Sequence, residues 1–183
     1  MNEKTFVGNI DRLRRPERVA ALEVPRVVDF CLDNRVSNTL LDIGCGSGIF
    51  LEAFAARGLF CAGVDLNPAM LRATREFVSG ARVTAAIAES LPFAAKSFDV
   101  VFLAHILHEV DNPAIVLAEC SRVARHRIAV LEWPFREQEM GPPLSHRLSP
   151  ETLGAAIEEA GLARVRPVEL AAMSLYLIDI EIS

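Results

Sequence analysis

Three glycines at every second position, Gly44, Gly46 and Gly48, constrain the fold of this chain more than any other feature. They follow a short apolar run at 40–43 that contains one acidic residue, Asp42, and an apolar, alanine-rich stretch comes next. Glycine permits a sharp bend and lets a ligand approach the backbone closely. The stretch therefore predicts a strand, a tight turn and a helix, with a ligand-binding loop at the carboxyl end of the strand.

The spacing of these glycines disfavours a dinucleotide site. The dinucleotide fingerprint is G-x-G-x-x-G, and counted from Gly44 or Gly46 its third glycine falls on Ile49 or Leu51. The spacing therefore disfavours a nucleotide-dependent oxidoreductase, which would bind NAD, and we rank this function below the two given at the end of this subsection.

Length and composition indicate one globular domain. A chain of 183 residues that is 51% hydrophobic is long enough for one core and too short for two ordinary domains. It shows no apolar run long enough to span a membrane and no secretory signal, so we expect a cytoplasmic protein. The formal net charge of −5 disfavours a large nucleic-acid surface. The arginine cluster at 12–18 is either a solvated face or a local contact for an anion.

Helix starts and extended segments alternate along the chain. A capping residue precedes proline at 67–68, 112–113 and 149–150, which predicts three helix starts. Two extended segments, 162–170 and 174–182, close the chain with no helix between them. The alternation predicts an α/β fold with a parallel sheet between two helical layers, and the last two segments predict a hairpin that adds an antiparallel edge strand.

Several motifs resemble one enzyme family. The pattern D-x-G-x-G-x-G at 42–48 resembles motif I of the class I S-adenosylmethionine (SAM) dependent methyltransferases, and A-E-S-L-P-F-A-A-K-S-F-D at 88–99 resembles that family's stretch between its third and fourth strands. The G-P-P…R pattern at 141–147 is similar to that of the ubiquinone/menaquinone-biosynthesis-type (methyltransferase domain 11-like) relatives. The resemblance implies a Rossmann-like three-layer sandwich with a mostly parallel seven-stranded sheet and an antiparallel C-terminal hairpin strand. It also implies SAM as cofactor and S-adenosylhomocysteine (SAH) as its product.

The resemblance also assigns the cofactor residues, which fall beyond the carboxyl ends of the strands as in other open α/β sheets. In the family, the acidic residue at position 42 lies near the ammonium group of SAM, and the one at position 65 accepts the ribose hydroxyls. Relatives commonly carry an aspartate for the adenine amino group where this chain has Ile87. We therefore expect adenine to rest on the backbone around position 88, on Leu66 and Ile87, and on Glu89, which is equally well explained as a solvated loop charge. The predicted cofactor residues are Asp42, Gly44, Cys45, Gly46, Gly48, Asp65, Leu66, Ile87, Ala88, Glu89, Ala104 and His105.

Two histidines, His105 and His108, follow the fourth predicted strand, where relatives often carry histidines that face cofactor and substrate. Histidine titrates near neutral pH and suits a general base. We assign His108 as the candidate base and His105, also a candidate catalytic residue, to the cofactor-side wall; the alternative for both is a structural role. No cysteine or histidine spacing predicts a metal site.

The loop at 132–147 lies where the family places substrate-side residues. It is predicted either to contact the acceptor or to pack back on the core. Its apolar wall would consist of Trp133, Phe135 and Met140, and its polar contacts of His146 and Arg147.

These features predict one SAM-binding methyltransferase domain over 1–183 that moves a methyl group to a small-molecule acceptor by in-line displacement. The alternative is a SAM- or SAH-binding protein without transferase activity. Within the domain, 38–183 form the core. Residues 1–37, including Phe6, Val7 and Ile10, are either a lid over the site or an ordinary packed helical segment.

Overall fold

The computed structural model describes residues 10–33 and 36–181. Seven strands form one sheet in the order β3-β2-β1-β4-β5-β7-β6. The strands are β1 Thr39–Ile43, β2 Phe60–Asp65, β3 Arg82–Ala85, β4 Phe98–Ala104, β5 Ala124–Glu132, β6 Val165–Glu169 and β7 Ser174–Asp179. The helices are α1 Ile10–Leu13, α2 Pro16–Ala21, α3 Val24–Leu32, α4 Ile49–Ala55, α5 Pro68–Phe77, α6 Pro113–Val123 and α7 Pro150–Glu159, and a short 3₁₀ turn covers Leu144–His146.

The sheet has the predicted mixed character. Strands β1 to β5 pair in parallel, and β7 pairs antiparallel with both β5 and β6. The mostly parallel, seven-stranded α/β fold with a C-terminal hairpin is therefore confirmed. Within the hairpin, β6 is the edge strand and pairs antiparallel with β7, while β7 lies inside the sheet between β5 and β6. The reason is composition, since Leu175, Leu177 and Ile178 of β7 are buried, whereas no residue of β6 is.

The three proline helix starts are confirmed, and each has its side-chain cap. Asn67 accepts a hydrogen bond from the backbone N–H of Ala69 at 2.9 Å, and Asn112 accepts one from Ala114 at 3.0 Å. Ser149 accepts one from Thr152 at 3.1 Å. Each cap satisfies a backbone donor that the first helical turn leaves without a partner.

Two apolar clusters cover the two faces of the sheet. Alternate residues of β4 belong to alternate clusters, because successive side chains of a strand point to opposite faces. Val100 and Phe102 belong to one cluster, while Val101 and Leu103 belong to the other. With both faces covered, the carboxyl ends of the strands are the place where an open sheet of this kind presents backbone and polar groups to a ligand.

Asp99 fixes the opposite end of the sheet. Its carboxylate accepts backbone hydrogen bonds from Asn38 at 2.9 Å and Thr39 at 3.1 Å, and one from the Arg125 guanidinium at 3.0 Å. Burial alone would raise the pKa of Asp99, but these hydrogen bonds outweigh it and hold the pKa below its usual value.

The first helices lie against the glycine loop. Arg14 donates to the carbonyl of Ser47 at 2.9 Å and forms an ion pair with Glu52 at 3.0 Å, and its guanidinium lies 3.8 Å from the centre of the Phe77 ring. Phe6 and Val7, which were predicted to belong either to a lid or to a packed helix, lie outside the described residues. Across 10–33 and 36–181, no helix has both the length and the apolar character needed to cross a bilayer.

Candidate functional site

The glycine loop joins β1 to α4 and takes its shape from left-handed backbone conformations. Gly44 has φ +66°, and a Cβ atom built there would lie 2.0 Å from Cδ1 of Ile106, so the Ile106 side chain lies directly on the Gly44 backbone. Gly48 has φ +79°, and a Cβ atom there would lie 2.9 Å from a methyl group of Thr74 on α5. Gly46 has φ +54°, so all three glycines adopt the left-handed conformation that favours glycine.

Asp42 is a buried carboxyl beneath this loop. Its exposed fraction is 2%, and no described residue donates a hydrogen bond to it or forms an ion pair with it. Burial first, and then the neighbouring Asp65 carboxylate, raise the pKa of Asp42 well above its usual range. An acidic group held this way favours a cationic partner, because a cation would replace the missing hydration of the carboxylate.

Asp65 ties the end of β2 to the loop. Its carboxylate accepts backbone hydrogen bonds from Gly46 at 2.9 Å and from Asn67 at 2.7 Å. Burial raises the pKa of Asp65, and the two backbone donors partly oppose that shift. A carboxylate offers about four lone-pair sites, so two donors leave capacity for hydroxyl groups of a ligand.

The thiol of Cys45 faces the protein interior rather than the loop surface. A Cβ atom built on Gly63 would lie 2.9 Å from its sulfur, and the sulfur lies 3.9 Å from the hydroxyl of Thr74. Burial raises the pKa of this thiol above its usual value. Cys45 therefore offers a ligand its backbone, while its side chain packs between β2 and α5.

Two large apolar side chains are exposed at the adjacent ends of β2 and β3. Leu66 is 64% exposed and Ile87 is 44% exposed, and the two strands pair up to Asp65 and Ala85. Ile87 also accepts a backbone hydrogen bond from Ser90 at 3.3 Å. The half-buried residues Ala88 and Glu89 lie within this turn. An apolar surface beside a polar loop is the kind of surface on which a planar ring packs.

His105 follows the half-buried Ala104 at the end of β4 and continues the sheet by donating its backbone N–H to the carbonyl of Leu131 at 2.8 Å. It adopts a left-handed conformation, with φ +61°, which is uncommon outside glycine and often found at functional sites. Its ring stacks on Trp133 with centroids 4.8 Å apart, and its Nε2 lies 3.3 Å from the sulfur of Met173. Burial, followed by the charges of Arg18 and His108, lowers the pKa of His105 well below its usual value.

His108 forms a buried pair with Glu132, the last residue of β5. The two side chains meet at 2.7 Å between Nδ1 and Oε2. The other carboxylate oxygen of Glu132 accepts the backbone N–H groups of Leu107 at 2.9 Å and His108 at 3.4 Å. Because an ionised carboxylate only accepts, we assign the proton of this bond to Nδ1 of His108. Nε2 is then the basic nitrogen of the ring, with the Glu109 carboxylate 3.9 Å away.

Our sequence interpretation missed Glu132 as the partner of His108. A usable signal was present, because β4 and β5 are parallel neighbours whose carboxyl ends meet, with Ala104 opposite Leu131. Glu132 is a charged residue at the end of the apolar strand β5, and the neighbouring strand β4 leads into two histidines. Such an arrangement indicates a carboxylate–histidine pair.

Arg147 stabilises the loop at 132–147 from within. The Arg147 guanidinium donates to four carbonyl oxygens of the loop at 2.7–3.0 Å, and it lies 5.7 Å from the centre of the Trp133 ring. Arg147 is buried. The predicted polar contact from Arg147 to an acceptor does not fit this arrangement, because four of its five donors bind the loop itself. Phe135 and Met140 are exposed.

The residues at this edge fit SAM. The Asp42 carboxyl, which has no partner among the described residues, suits its ammonium group. The remaining acceptor capacity of Asp65 suits the ribose hydroxyls, and Leu66 and Ile87 offer an apolar surface for adenine. Ser47 adds a buried hydroxyl with no hydrogen-bond partner among the described residues. Within residues 10–33 and 36–181, no group of three or more His, Cys, Asp or Glu side chains is arranged to hold a metal ion.

Comparison with known proteins points the same way. A family model described as a methyltransferase domain matches residues 41–127. A ubiquinone biosynthesis O-methyltransferase from Hahella chejuensis is 38% identical over 109 residues, which are 55% of this chain and 45% of that protein. An uncharacterized methyltransferase from Mycobacterium sp. is 38% identical over 116 residues, which are 60% of this chain and 45% of that protein. The chain thus spans less than half the length of these two curated relatives.

Solved structures share the fold over nearly the whole chain. A SAM-dependent methyltransferase from Aquifex aeolicus has a TM-score of 0.81 at 24% identity, covering 94% of this chain and 97% of that one. A magnesium protoporphyrin IX methyltransferase from Synechocystis with bound SAH has a TM-score of 0.70 at 12% identity, covering 97% and 90%. Residues 41–127 therefore match a methyltransferase domain, and the chain as a whole has the fold of SAM-dependent methyltransferases.

Proposed function

We propose that this protein is a SAM-dependent methyltransferase that acts on a hydroxyl group of a small-molecule acceptor. The observation that carries the proposal is the buried His108–Glu132 pair beside the glycine loop. Ile106, which lies on Gly44 of that loop, is separated from His108 by one residue. A cofactor-binding loop and a potential base therefore meet at one edge of the sheet.

The cofactor side of the site is proposed on the residues described above. Asp42 would balance the ammonium group of SAM, Asp65 would accept the ribose hydroxyls, and Leu66 with Ile87 would pack against adenine. When bound, SAM supplies an electrophilic methyl group on a sulfonium centre. The chain has then only to align the acceptor and exclude water, and alignment alone accounts for a large part of such a rate enhancement.

The acceptor side is proposed on His108 and Glu132. Because Glu132 accepts from Nδ1, the imidazole is held in the tautomer whose Nε2 can take a proton. A base of this kind helps an acceptor whose attacking atom carries a proton, as a hydroxyl does. His105, neutral at physiological pH because its pKa is lowered, would serve as a wall beside the cofactor. The Hahella chejuensis relative is named an O-methyltransferase, which supports testing hydroxylated aromatic compounds first.

Methyl transfer from radiolabelled SAM to a panel of small phenols and catechols tests the proposal. The variants are His108→Gln and Glu132→Gln, and the matched control is His126→Gln. His126 lies on β5 far from the carboxyl end, 3.8 Å from Asp99. We expect both site variants to lower kcat by about 10²–10⁴-fold, with SAM affinity unchanged and the control at wild-type level. The Glu132 variant keeps one oxygen for the backbone donors but presents an amide to Nδ1, which favours the opposite tautomer of His108.

Two results would contradict parts of the proposal. If His108→Gln turns over as fast as wild type, His108 is not the base. If SAM and SAH bind but no compound of the panel is methylated, the alternative of a SAM-binding protein without transferase activity is favoured.

A further inference from the structure

Arg18, on α2, is a cation that has no counter-ion among the described residues. Its side chain is half-buried, and its one hydrogen bond to the described residues goes from Nη1 to the carbonyl of Leu13 at 3.2 Å. None of the carboxylates in 10–33 or 36–181 lies within ion-pair distance of it. Its neighbours differ in this respect, since Arg14 pairs with Glu52 and Arg26 pairs with Glu23 at 2.8 Å.

Two observations connect Arg18 to the candidate site. Leu13, whose carbonyl receives the Arg18 hydrogen bond, lies over the loop, since a Cβ atom built on Gly46 would be 3.7 Å from its Cδ1. The charge of Arg18 also contributes to the lowered pKa of His105. Arg18 is therefore joined through Leu13 to the glycine loop, and its charge acts on the histidine that follows β4.

The surroundings of Arg18 favour an anion. Burial, and then the neighbouring Arg12, lower the pKa of the Arg18 guanidinium, although arginine stays protonated in proteins. A half-buried charge with one neutral acceptor loses hydration, and the residues in 10–33 and 36–181 do not replace it. An anion at this position would supply the missing partner.

We propose that Arg18 binds a carboxylate in the candidate site. With Nη1 directed to Leu13, the edge formed by Nε and Nη2 is the one left for a ligand, and two parallel N–H groups match the two oxygens of a carboxylate. The inference rests on the proposed function in taking this edge of the sheet as the ligand site. The carboxylate belongs either to the methionine part of the cofactor or to the acceptor.

Calorimetric titration of wild type, Arg18→Gln and Arg18→Lys distinguishes these sources, with Arg26→Gln as the matched control that removes a paired arginine. The probes are SAH, 5′-methylthioadenosine, which lacks the amino acid part, and benzoate, titrated into the free and the SAH-saturated protein. Thermal melts of the same variants check folding. We expect Arg18→Gln to melt no lower than wild type, because it removes an uncompensated charge.

Loss of the carboxylate contact should weaken the relevant probe by about 10- to 100-fold. If Arg18→Gln weakens SAH but not 5′-methylthioadenosine, the carboxylate is that of the cofactor. If it weakens benzoate instead, the carboxylate is that of the acceptor. Arg18→Lys should recover only part of either loss, since an ammonium group cannot bind both oxygens in parallel.

Equal affinities of wild type and Arg18→Gln for SAH and for benzoate would overturn the inference, as would an equal loss for Arg26→Gln. Failure of the proposed function looks different, because wild type itself would then bind neither SAH nor 5′-methylthioadenosine. The benzoate titration of the free protein still tests Arg18 in that case.

Discussion

The buried carboxyl of Asp42 leads to a prediction in which stability and binding move in opposite directions. Asp42→Asn keeps the shape of the side chain and removes its ability to ionise. We expect this variant to melt at a higher temperature than wild type without ligand and to bind SAM more weakly. The physical reason is that Asp42 is 2% exposed and that none of the described residues compensates its carboxyl with a hydrogen bond or an ion pair.

The size of the stability gain follows from the cost of leaving such a group without a partner. An unsatisfied buried polar group costs about 1–3 kcal/mol, and a charged one costs more. The neutral amide retains part of that cost, so a gain of about 1–3 kcal/mol in the free energy of unfolding is expected. At this chain length, 1 kcal/mol moves Tm by about 2–4 °C, so Tm should rise by several degrees.

The pH dependence has a definite sign. The pKa of Asp42 is raised in the folded state, so the folded chain holds a proton that the unfolded chain has released once the pH exceeds about 3.9. The cost of burying Asp42 therefore grows as the pH rises through this range, up to the folded-state pKa. The difference in stability between Asp42→Asn and wild type should be full at neutral pH and should shrink as the pH falls toward 4.

The assay combines chemical denaturation at several pH values with titration by SAM. Asp99→Asn is the matched control, because Asp99 is also buried but is fully hydrogen-bonded and has a lowered pKa. That variant should lose about 1–2 kcal/mol of stability with the Arg125 contact and bind SAM normally. SAM affinity of Asp42→Asn should fall by about 10- to 100-fold. A lower Tm for Asp42→Asn, or unchanged SAM affinity, would refute the reasoning.

Three further predictions concern the neighbouring residues. Ile87→Asp, which gives the adenine edge a carboxylate, should tighten SAH binding by about 10-fold; weaker binding measured by calorimetry would contradict the proposed place of adenine. Because the pKa of His105 is lowered, the unfolded chain binds a proton below about pH 6.5 that the folded chain does not bind. His105→Asn should therefore reduce the loss of stability between about pH 7.5 and pH 5.5. An unchanged dependence of the free energy of unfolding on pH would refute this. Gly48→Ala should lower the free energy of unfolding by about 1–3 kcal/mol, since its Cβ would meet Thr74 and its backbone is left-handed; wild-type stability would contradict it.

The sheet and its helix starts were predictable because local chemistry determines them. Asn67 and Asn112 cap their helices as the Asn-Pro pairs indicated, and the three glycines form the turn that their spacing predicted. The place of β7 inside the sheet was not predicted. Which of two hairpin strands lies at the edge depends on which of them buries more apolar surface, and that needs the neighbouring strand.

The polar pairs of the candidate site were harder to predict because they join residues distant in sequence. Glu132 meets His108 only once β4 and β5 lie side by side. Arg147 looked like a residue available to an acceptor, yet it binds four carbonyl groups of its own loop. As part of an arginine cluster, Arg18 was predicted either to lie on a solvated face or to contact an anion. It is half-buried and has no ion pair among the described residues, which favours the anion contact. Such choices depend on packing, which no single stretch of sequence contains.

Calorimetric titration of the purified protein with SAM, SAH and NAD tests the central claim most directly. The account predicts saturable binding of SAM and of SAH and no binding of NAD. The glycines of the loop above Asp42 do not have the spacing of a dinucleotide site, and Asp42 offers a carboxyl to a cation. Saturable binding of NAD, or no binding of either SAM or SAH, would contradict it.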